Sequence, residues 1–532
     1  MPRDGKLSCT VIGGGAAGHG ALLGLKNSGK PLRVTLIDPP AGPKSPYEPD
    51  HYPQAQAPER AAYLRHLRAS LGRSLLPAKS HFGIAPETYD VANWGRIWRS
   101  DSAGGLTRFW GASALPLPQR EFAAWPFGLD ELRVHYAAIV ADVPVAGADD
   151  ALSALWGHGL ASRPALRRLE IFDRLSTALQ TPNPKQHPFD LVAGGGRMAI
   201  ETAAEADSAC RYCGDCMAGC RFGSIYSAGS ALAGRQDLYD ERVAARVLAV
   251  DPVDRTIIVE RGGEQQSLGP FDRIYLTAGC VGSTAILARS GLAPRETEMQ
   301  DNTVLSFLVV FCGRRPPGKI DEGYVALTNM VVACCPRQKS ARMAAIQLYP
   351  FFDYLWEMHA PRLLWPSLRA ASRRLRARLA IARLYLPAAM SQRYSLEVPD
   401  VGSPVFALTA PPAEPEELAP LWQSVRAGLG RGGFKVLPRP LIRHGTSSHY
   451  AGTLPLGGEH VDVEGRIAPG VYLCDSAAFP ESPAFSPTLT IMAFAHRVAK
   501  RSVAESTPSF DRRTRTRYPA LRFRYLSKDV SP

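Results

Sequence analysis

Four of the ten cysteines in this 532-residue chain fall within eleven residues, Cys210, Cys213, Cys216 and Cys220, with the spacing C-x2-C-x2-C-x3-C. Bacterial ferredoxins space their iron-sulfur ligands in this way, although Arg221 stands where they carry proline. Structural zinc sites usually combine two separated pairs, so zinc suits this continuous run less well. Far upstream, Gly13-Gly14-Gly15-Ala16-Ala17-Gly18 has the small residues that a phosphate-cradling turn needs.

The elements around that turn have the right order for such a cradle. Leu7 to Ile12 is a short apolar run, and a small-residue stretch compatible with a helix continues to Ser28 and Gly29. Gly13 permits the tight turn, Gly15 lets the backbone approach a pyrophosphate, and Gly18 lets the helix pack closely on the strand. A second strand, Leu32 to Ile37, ends in Asp38, 20 residues beyond Gly18, where a carboxylate can accept from a ribose hydroxyl. The glycines alone do not say which dinucleotide is bound.

Further motifs run through the chain in a definite order. They are Gly104-Gly105-Leu106-Thr107-Arg108-Phe109-Trp110-Gly111, Trp125-Pro126-Phe127-Gly128-Leu129, Thr277-Ala278-Gly279-Cys280, Ser448-His449-Tyr450-Ala451-Gly452-Thr453, Asp475-Ser476-Ala477-Ala478, and Ser486-Pro487-Thr488-Leu489-Thr490. Together with the glycine turn, this succession resembles the glucose-methanol-choline (GMC) oxidoreductases. The resemblance implies FAD as the dinucleotide, with Gly13, Gly15, Gly18, Asp38, Gly104, Gly105, Thr107, Trp110, Ala278, Gly279, Asp475, Ser476, Pro487 and Thr488 around it.

It also implies oxidation of a CH-OH group, with His449 accepting the hydroxyl proton, a task suited to an imidazole titrating near neutrality. Ser486 departs from the family pattern, which usually has asparagine or histidine there; a serine hydroxyl reaches less far and is no general base at neutral pH. Some relatives tether the flavin through a histidine beside the Gly-Gly segment. This chain has Arg108 and Phe109 at that point, so non-covalent FAD is expected. His444 and His496 are nearby but fall on no motif position.

In the cysteine segment the chain resembles the bacterial FAD-dependent sugar and alcohol dehydrogenases that carry an iron-sulfur cluster. The alternatives for Cys210, Cys213, Cys216 and Cys220 are a 4Fe-4S or 3Fe-4S cluster, or plain thiols or a disulfide, the last disfavoured in the cytosol. With a cluster, electrons would pass to an acceptor protein or a quinone; without one, oxygen could serve.

A chain of this length exceeds one ordinary core, and 45% hydrophobic with 21% charged residues is a globular composition. The motif order predicts an α/β protein: a discontinuous Rossmann-like FAD-binding domain from 1–135, 190–300 and 440–505, and an α+β substrate domain with an antiparallel sheet from 136–189 and 301–439. A basic tail, 506–532, follows. Val304 to Cys312 reads as a buried strand, and Pro411 to Pro420 as a surface loop. The start leaves no room for a signal peptide and no apolar run is long enough to span a bilayer, so the expectation is a cytoplasmic protein.

The chain carries 13 more Lys and Arg than Asp and Glu, and Met358 to Leu396 contains no acid. Leu364, Leu368, Leu375, Leu379 and Leu386 follow helical spacing beside Arg369, Arg373, Arg376 and Arg383, which predicts a basic amphipathic helix over 362–386, read first as a solvated helix packed on its own domain and alternatively as one in peripheral contact with an anionic membrane or an acidic protein partner. No recognised motif joins this charge to nucleic acid. Three functions remain open on sequence: an alcohol or sugar dehydrogenase, a membrane-surface oxidoreductase of a sterol, fatty alcohol or lipid-linked glycan, and a flavin-binding electron-transfer or assembly protein without alcohol oxidation.

Overall fold

Strand Leu7–Ile12 lies inside a six-stranded sheet, paired in parallel with Leu32–Asp38 on one side and Arg273–Leu276 on the other. Glu241–Ala244 extends the sheet beyond Leu32–Asp38, while Val471–Leu473 and then Arg466–Ala468 extend it beyond Arg273–Leu276. Only the last pair is antiparallel. The central strands are almost continuously apolar, as strands covered on both faces must be. These coordinates come from a computed structural model that describes residues 5–40, 87–91, 95–181, 187–217, 219–313, 323–352, 361–437, 441–443 and 447–505. His444 and the basic tail 506–532 lie outside the described residues.

A second, seven-stranded antiparallel sheet is built mainly from the region the motifs leave blank. Its order is Phe434–Val436, Val304–Phe311, Leu379–Tyr385, Ala344–Pro350, Met330–Pro336 and Phe189–Gly195, with Leu441–Arg443 also pairing with Val304–Phe311. Ala344, Ile346, Leu348, Ala380, Ala382 and Leu384 face one way and form a core with Ile171, Phe172 and Leu175 of helix Glu170–Gln180 and with Leu418, Leu421 and Val425 of helix Pro415–Arg431. The alternate residues of the same strands face the nucleotide-binding half, because successive strand side chains point to opposite faces.

Two expectations need correction. The helix expected over 362–386 stops at Arg376, and Leu379–Tyr385 is a central strand. Val304–Phe311 and Ala344–Pro350 supply hydrogen-bond partners along both its edges, and that pairing outweighs the local 3.6-residue spacing of its leucines. Arg383 is therefore buried inside the protein, and Arg376 is also buried, its guanidinium 4.4 Å from the centre of the Tyr324 ring. A membrane-facing stripe that includes these two arginines is excluded by their burial. Leu363 and Leu364, at the start of the segment, are exposed. The loop expected over Pro411 to Pro420 gives way to helix Pro415–Arg431, which begins with a capping box between Glu414 and Glu417 and proline in its first turn. No helix among the described residues is long and apolar enough to cross a membrane.

Helices Ala16–Lys26 and Thr488–Ser502 touch backbone to backbone. A Cβ on Gly20 would lie 2.2 Å from the Met492 carbonyl oxygen, and one on Gly24 would lie 2.5 Å from that of His496. His496 is committed to this packing: its Nδ1 meets His135 Nδ1 at 2.8 Å and its Nε2 meets Asn27 Nδ2 at 3.0 Å. Burial pushes both imidazoles down, His135 to about 4 and His496 to about 3, so the pair stays neutral between three helices. Gly20→Ala should destabilise the fold by about 1–3 kcal/mol through overpacking. It should also lower nucleotide occupancy of the purified protein, both effects being read from melting curves and bound-cofactor content.

Candidate active site

The N-termini of the two touching helices open on one cavity of about 500 Å³, within the range of small-molecule sites. On its nucleotide side Gly13 adopts φ +107°, and a Cβ there would stand 2.8 Å from the Thr277 carbonyl oxygen. At Gly15 the nearest heavy atom to an added Cβ is 3.8 Å away, which leaves its backbone open to the cavity. Gly18 does not line the cavity; a Cβ there would come within 2.0 Å of the Gly13 carbonyl oxygen, so it fastens the helix to the turn. Asp38 is buried and lines the cavity, its Oδ1 accepting from the Gly14 N–H at 3.0 Å and its Oδ2 from Arg242 at 2.8 Å. Burial pushes this carboxyl up, against the pull of those donors. Nothing in the sequence singled out Arg242, which reaches Asp38 from the neighbouring strand.

The other motif residues form the walls. Gly105, Thr107 and Trp110 line the cavity. Gly104, at φ +90°, instead packs 2.7 Å, measured from an added Cβ, from the Gly229 nitrogen. Thr107 Oγ1 accepts from the Ala228 N–H at 2.9 Å, and the Trp110 indole donates to the Tyr226 carbonyl at 2.8 Å. Ala278, Gly279, Asp475, Ser476, Pro487 and Thr488 also line the cavity. Asp475 accepts from the N–H groups of Gly279 and Ala477 and from the Ser283 hydroxyl, while burial pushes its carboxyl up to about 6. Ser476 Oγ donates to the Tyr450 carbonyl at 2.7 Å and so ties this wall to the histidine loop.

His449 enters from the opposite side. Its Nδ1 lies 3.1 Å from Asn302 Oδ1. The Asn302 Nδ2 donates to the carbonyls of Leu386, at 2.8 Å, and Ser482, at 3.4 Å, so its oxygen must be the end turned to the histidine. His449 Nδ1 is therefore the donor, and the acceptor lone pair of the neutral ring sits on Nε2. The ring stacks on Tyr385, with centroids 5.1 Å apart and planes 14° from parallel. Ser448, just before it, takes φ +61°, a left-handed conformation uncommon for serine that is found where a side chain must be aimed. Ser486 lies in the cavity wall and donates its hydroxyl proton to the Ser113 carbonyl at 2.7 Å, which leaves its oxygen lone pairs as acceptors.

No protein-family model matches the chain, and no curated protein does. Among solved structures it is similar to pyridoxine 4-oxidase from Mesorbium loti, at 16% identity and a TM-score of 0.60 over 94% of this chain and 100% of that one. It is also similar to formate oxidase of Aspergillus oryzae RIB40, in a structure concerned with FAD modification, at 13% identity and a TM-score of 0.59 over 94% and 99% of the two chains. A further formate oxidase structure matches at 12% identity and a TM-score of 0.59, over the same shares of the two chains. The chain has the fold of these oxidases. That fold is mixed α/β, a Rossmann-like nucleotide domain with a substrate domain attached, and at these identities the likeness speaks for the fold alone.

Within the oxidase fold, Cys210, Cys213, Cys216 and Cys220 line a second, smaller cavity of about 10 Å³ together with Ile200, Phe222 and Ile225. Burial pushes the thiols of Cys210, Cys213 and Cys216 up, Cys213 to about 11, and the other three sulfurs push Cys216 up further. All four are free cysteines. Among the described residues no three Cys, His, Asp or Glu are grouped to hold a single metal ion. The donor set has the number and softness that an iron-sulfur cluster needs, but the space between the sulfurs holds about one water, so a cluster would have to spread this segment.

The site residues that the sequence did not reveal belong mostly to the antiparallel sheet and the link leading into it: Asp301, Asn302, Gln347, Arg383 and Tyr385. Gln347, Arg383 and Tyr385 carry only the alternation of ordinary strands, and Asp301 and Asn302 fall between two strands with no motif around them. Asp301 accepts from the hydroxyl of Ser447, which in turn accepts from the His449 N–H, and also accepts from Gln392 Nε2 at 3.2 Å; burial pushes its carboxyl up to about 6. A raised carboxyl favours the fold below its unfolded value near 3.9, and that contribution fades as pH rises through about 6. Relative to wild type, Asp301→Asn should therefore gain ~3 kcal/mol of stability between about pH 4 and 6 and level off above. Melting curves across this range check it, and a difference that does not vary with pH would show Asp301 titrating as it does in water.

Proposed function

We propose that the protein is an FAD-dependent oxidoreductase of the glucose-methanol-choline type that oxidises a CH-OH group to a carbonyl. The observation that carries this reading is His449, held by Asn302 with its acceptor nitrogen fixed, on the same cavity as the glycine turn and the two helix N-termini. The residues suit FAD: the open backbone at Gly15 and the N-terminus of helix Ala16–Lys26 would receive the pyrophosphate, Asp38 the ribose, and Thr107, Trp110, Ala278, Gly279, Asp475, Ser476, Pro487 and Thr488 would line the remainder. When bound, FAD supplies the hydride acceptor. Arg108 is buried with its guanidinium 5.5 Å from the Phe109 ring centre, and attachment is read as non-covalent.

The protein's own part is proton handling and placement. As the donor carbon loses hydride, the His449 Nε2 takes the hydroxyl proton, while Asn302 and the Tyr385 ring keep the imidazole in its tautomer and plane. Ser486, whose own proton goes to the Ser113 carbonyl, lines the same cavity and takes no part in this proton transfer. Two electrons per turnover leave for an external acceptor, a quinone or redox protein. We assign Cys210, Cys213, Cys216 and Cys220 to an iron-sulfur cluster on their ferredoxin spacing in the sequence. Such a group would need this segment to open, since among the described residues no three of these thiols are grouped to hold a metal ion.

His449→Ala should keep bound FAD and slow flavin reduction by substrate about 10²–10⁴-fold. Asn302→Leu should slow it less while shifting its pH profile. Flavin reduction in anaerobic stopped flow reads both, and full-speed reduction by His449→Ala would sink the assignment. Anaerobically purified protein should contain one FAD and, under the cluster reading, three or four irons per chain with a paramagnetic signal; flavin without iron would leave Cys210 to Cys220 as plain thiols and turn attention to oxygen as acceptor.

A further inference from the structure

Asp301 is fully buried, and the groups that hold its carboxyl are all donors. Ser447 donates its hydroxyl proton to Oδ1, Gln392 donates from Nε2 to Oδ2 at 3.2 Å, and the His449 backbone N–H also reaches the carboxyl. The Gln392 amide cannot be turned round, because its Oε1 accepts from the Thr303 hydroxyl. Three donors suit the ionised form, which only accepts. Burial pushes the carboxyl up to about 6, so the charge is present above that pH.

A counter-charge is missing from these surroundings. Among the described residues no Lys or Arg forms an ion pair with Asp301. The other titratable side chains that its charge reaches are Tyr385 of the antiparallel sheet, Tyr450 of the histidine loop and Cys280 of helix Gly279–Arg289. Burial, with this charge added, pushes all three up, Cys280 to about 12, so they stay neutral at ordinary pH. A buried carboxylate with no cation beside it is costly to keep. The neighbour that gains a positive charge in the proposed reaction is His449.

The geometry couples the two closely. Asp301 holds the Ser447 side chain and the His449 N–H, on either side of Ser448 at φ +61°, while the next residue, Asn302, accepts from the imidazole at 3.1 Å. Opposite charges at such close range favour each other's charged forms, and burial keeps salt and water from screening them. Asp301 itself does not line the cavity.

We propose that Asp301 is the counter-charge for the proton that His449 takes up, a positioning residue that acts on the reaction through the imidazole and does not touch the donor. This deepens the alcohol oxidation proposed above and rests on it. Atoms and electrons balance as before: the donor carbon gives hydride to FAD, its hydroxyl proton goes to His449 Nε2, and the donor becomes a carbonyl compound. Asp301 stays ionised and receives no proton, so the pair of Asp301 and His449 passes from one net negative charge to none.

The test follows the His449 ring by NMR in the FAD-loaded protein with its histidines labelled at Cε1, and His449→Ala identifies the signal among the twelve. Asp301→Asn keeps the shape of the side chain and an acceptor for Ser447. It should move the His449 titration down by about one pH unit or more, because a carboxylate favours the imidazolium and its loss lets the ring give up its proton at lower pH. Ser447→Ala keeps the charge, loses the bridge and should move the titration much less. In anaerobic stopped flow at pH 8, Asp301→Asn should lower the limiting rate of flavin reduction about 10-fold without changing the half-saturating alcohol concentration. The acid limb of its pH profile should shift down with the titration. An unmoved His449 titration in Asp301→Asn would overturn the proposal, and so would an equal shift in Ser447→Ala, which would place the effect in the aim of the loop. Slower reduction with an unshifted acid limb would also overturn it, as the mark of a merely structural role. A moved titration in a protein whose flavin no alcohol reduces would support the coupling and remove the alcohol oxidation instead.

Discussion

The cavity depends on the close approach of two helices, Ala16–Lys26 and Thr488–Ser502, that lie near opposite ends of the chain. Gly20 and Gly24, one turn apart, let the backbone of helix Ala16–Lys26 rest on that of helix Thr488–Ser502 at Met492 and His496. A side chain at either glycine would drive the helices apart by about the thickness of a methyl group. Because both helices start at the cavity, such a shift would move the glycine turn and the Pro487-Thr488 wall relative to each other. The neutral His135 and His496 pair adds polar contact at the same junction without burying a charge.

The histidine depends on a second junction, where the chain passes from the nucleotide half into the antiparallel sheet. Gln300 and Ala451 exchange backbone hydrogen bonds at 2.9 and 3.1 Å, and the two residues after Gln300 supply the carboxyl beneath Ser447 and the amide beside His449. Aim and tautomer of the imidazole are thus set by one short segment, Asp301-Asn302, before the sheet begins. The Ser482 hydroxyl, with one proton to give, lies 2.7 Å from the His449 carbonyl and 3.0 Å from the Asn302 Oδ1, which closes the ring of contacts.

The sequence was most legible where backbone geometry restricts residue type. The turn at Gly13, the close packing at Gly18 and the strands Leu7–Ile12 and Leu32–Asp38 could be read because few residues tolerate a positive φ or a carbonyl 2 Å from the Cβ position. The buried strand from Val304 was legible from its apolar run. The sheet that forms the rest of the cavity was not, because its pairing joins segments that carry no local mark. Leu379–Tyr385 even carries a misleading one, since leucines at helical spacing end in a strand whose register only its two neighbours reveal. Helix Pro415–Arg431 is a different kind of miss: its prolines suggested a loop, although Glu414 and Glu417 flank the first of them in a helix-starting pattern.

Strand Leu379–Tyr385 also bears on how the cavity wall could change without loss of the fold. Ala380, Ala382 and Leu384 belong to the core beneath the sheet, whereas Ile381, Arg383 and Tyr385 belong to the other face. Cavity lining, at Arg383 and Tyr385, and core packing are thus carried by alternate residues of one short strand. Substitutions at those two positions would change the cavity wall while Ala380, Ala382 and Leu384 went on holding the sheet to its helices. A single inserted or deleted residue would exchange the two sets and spoil both at once.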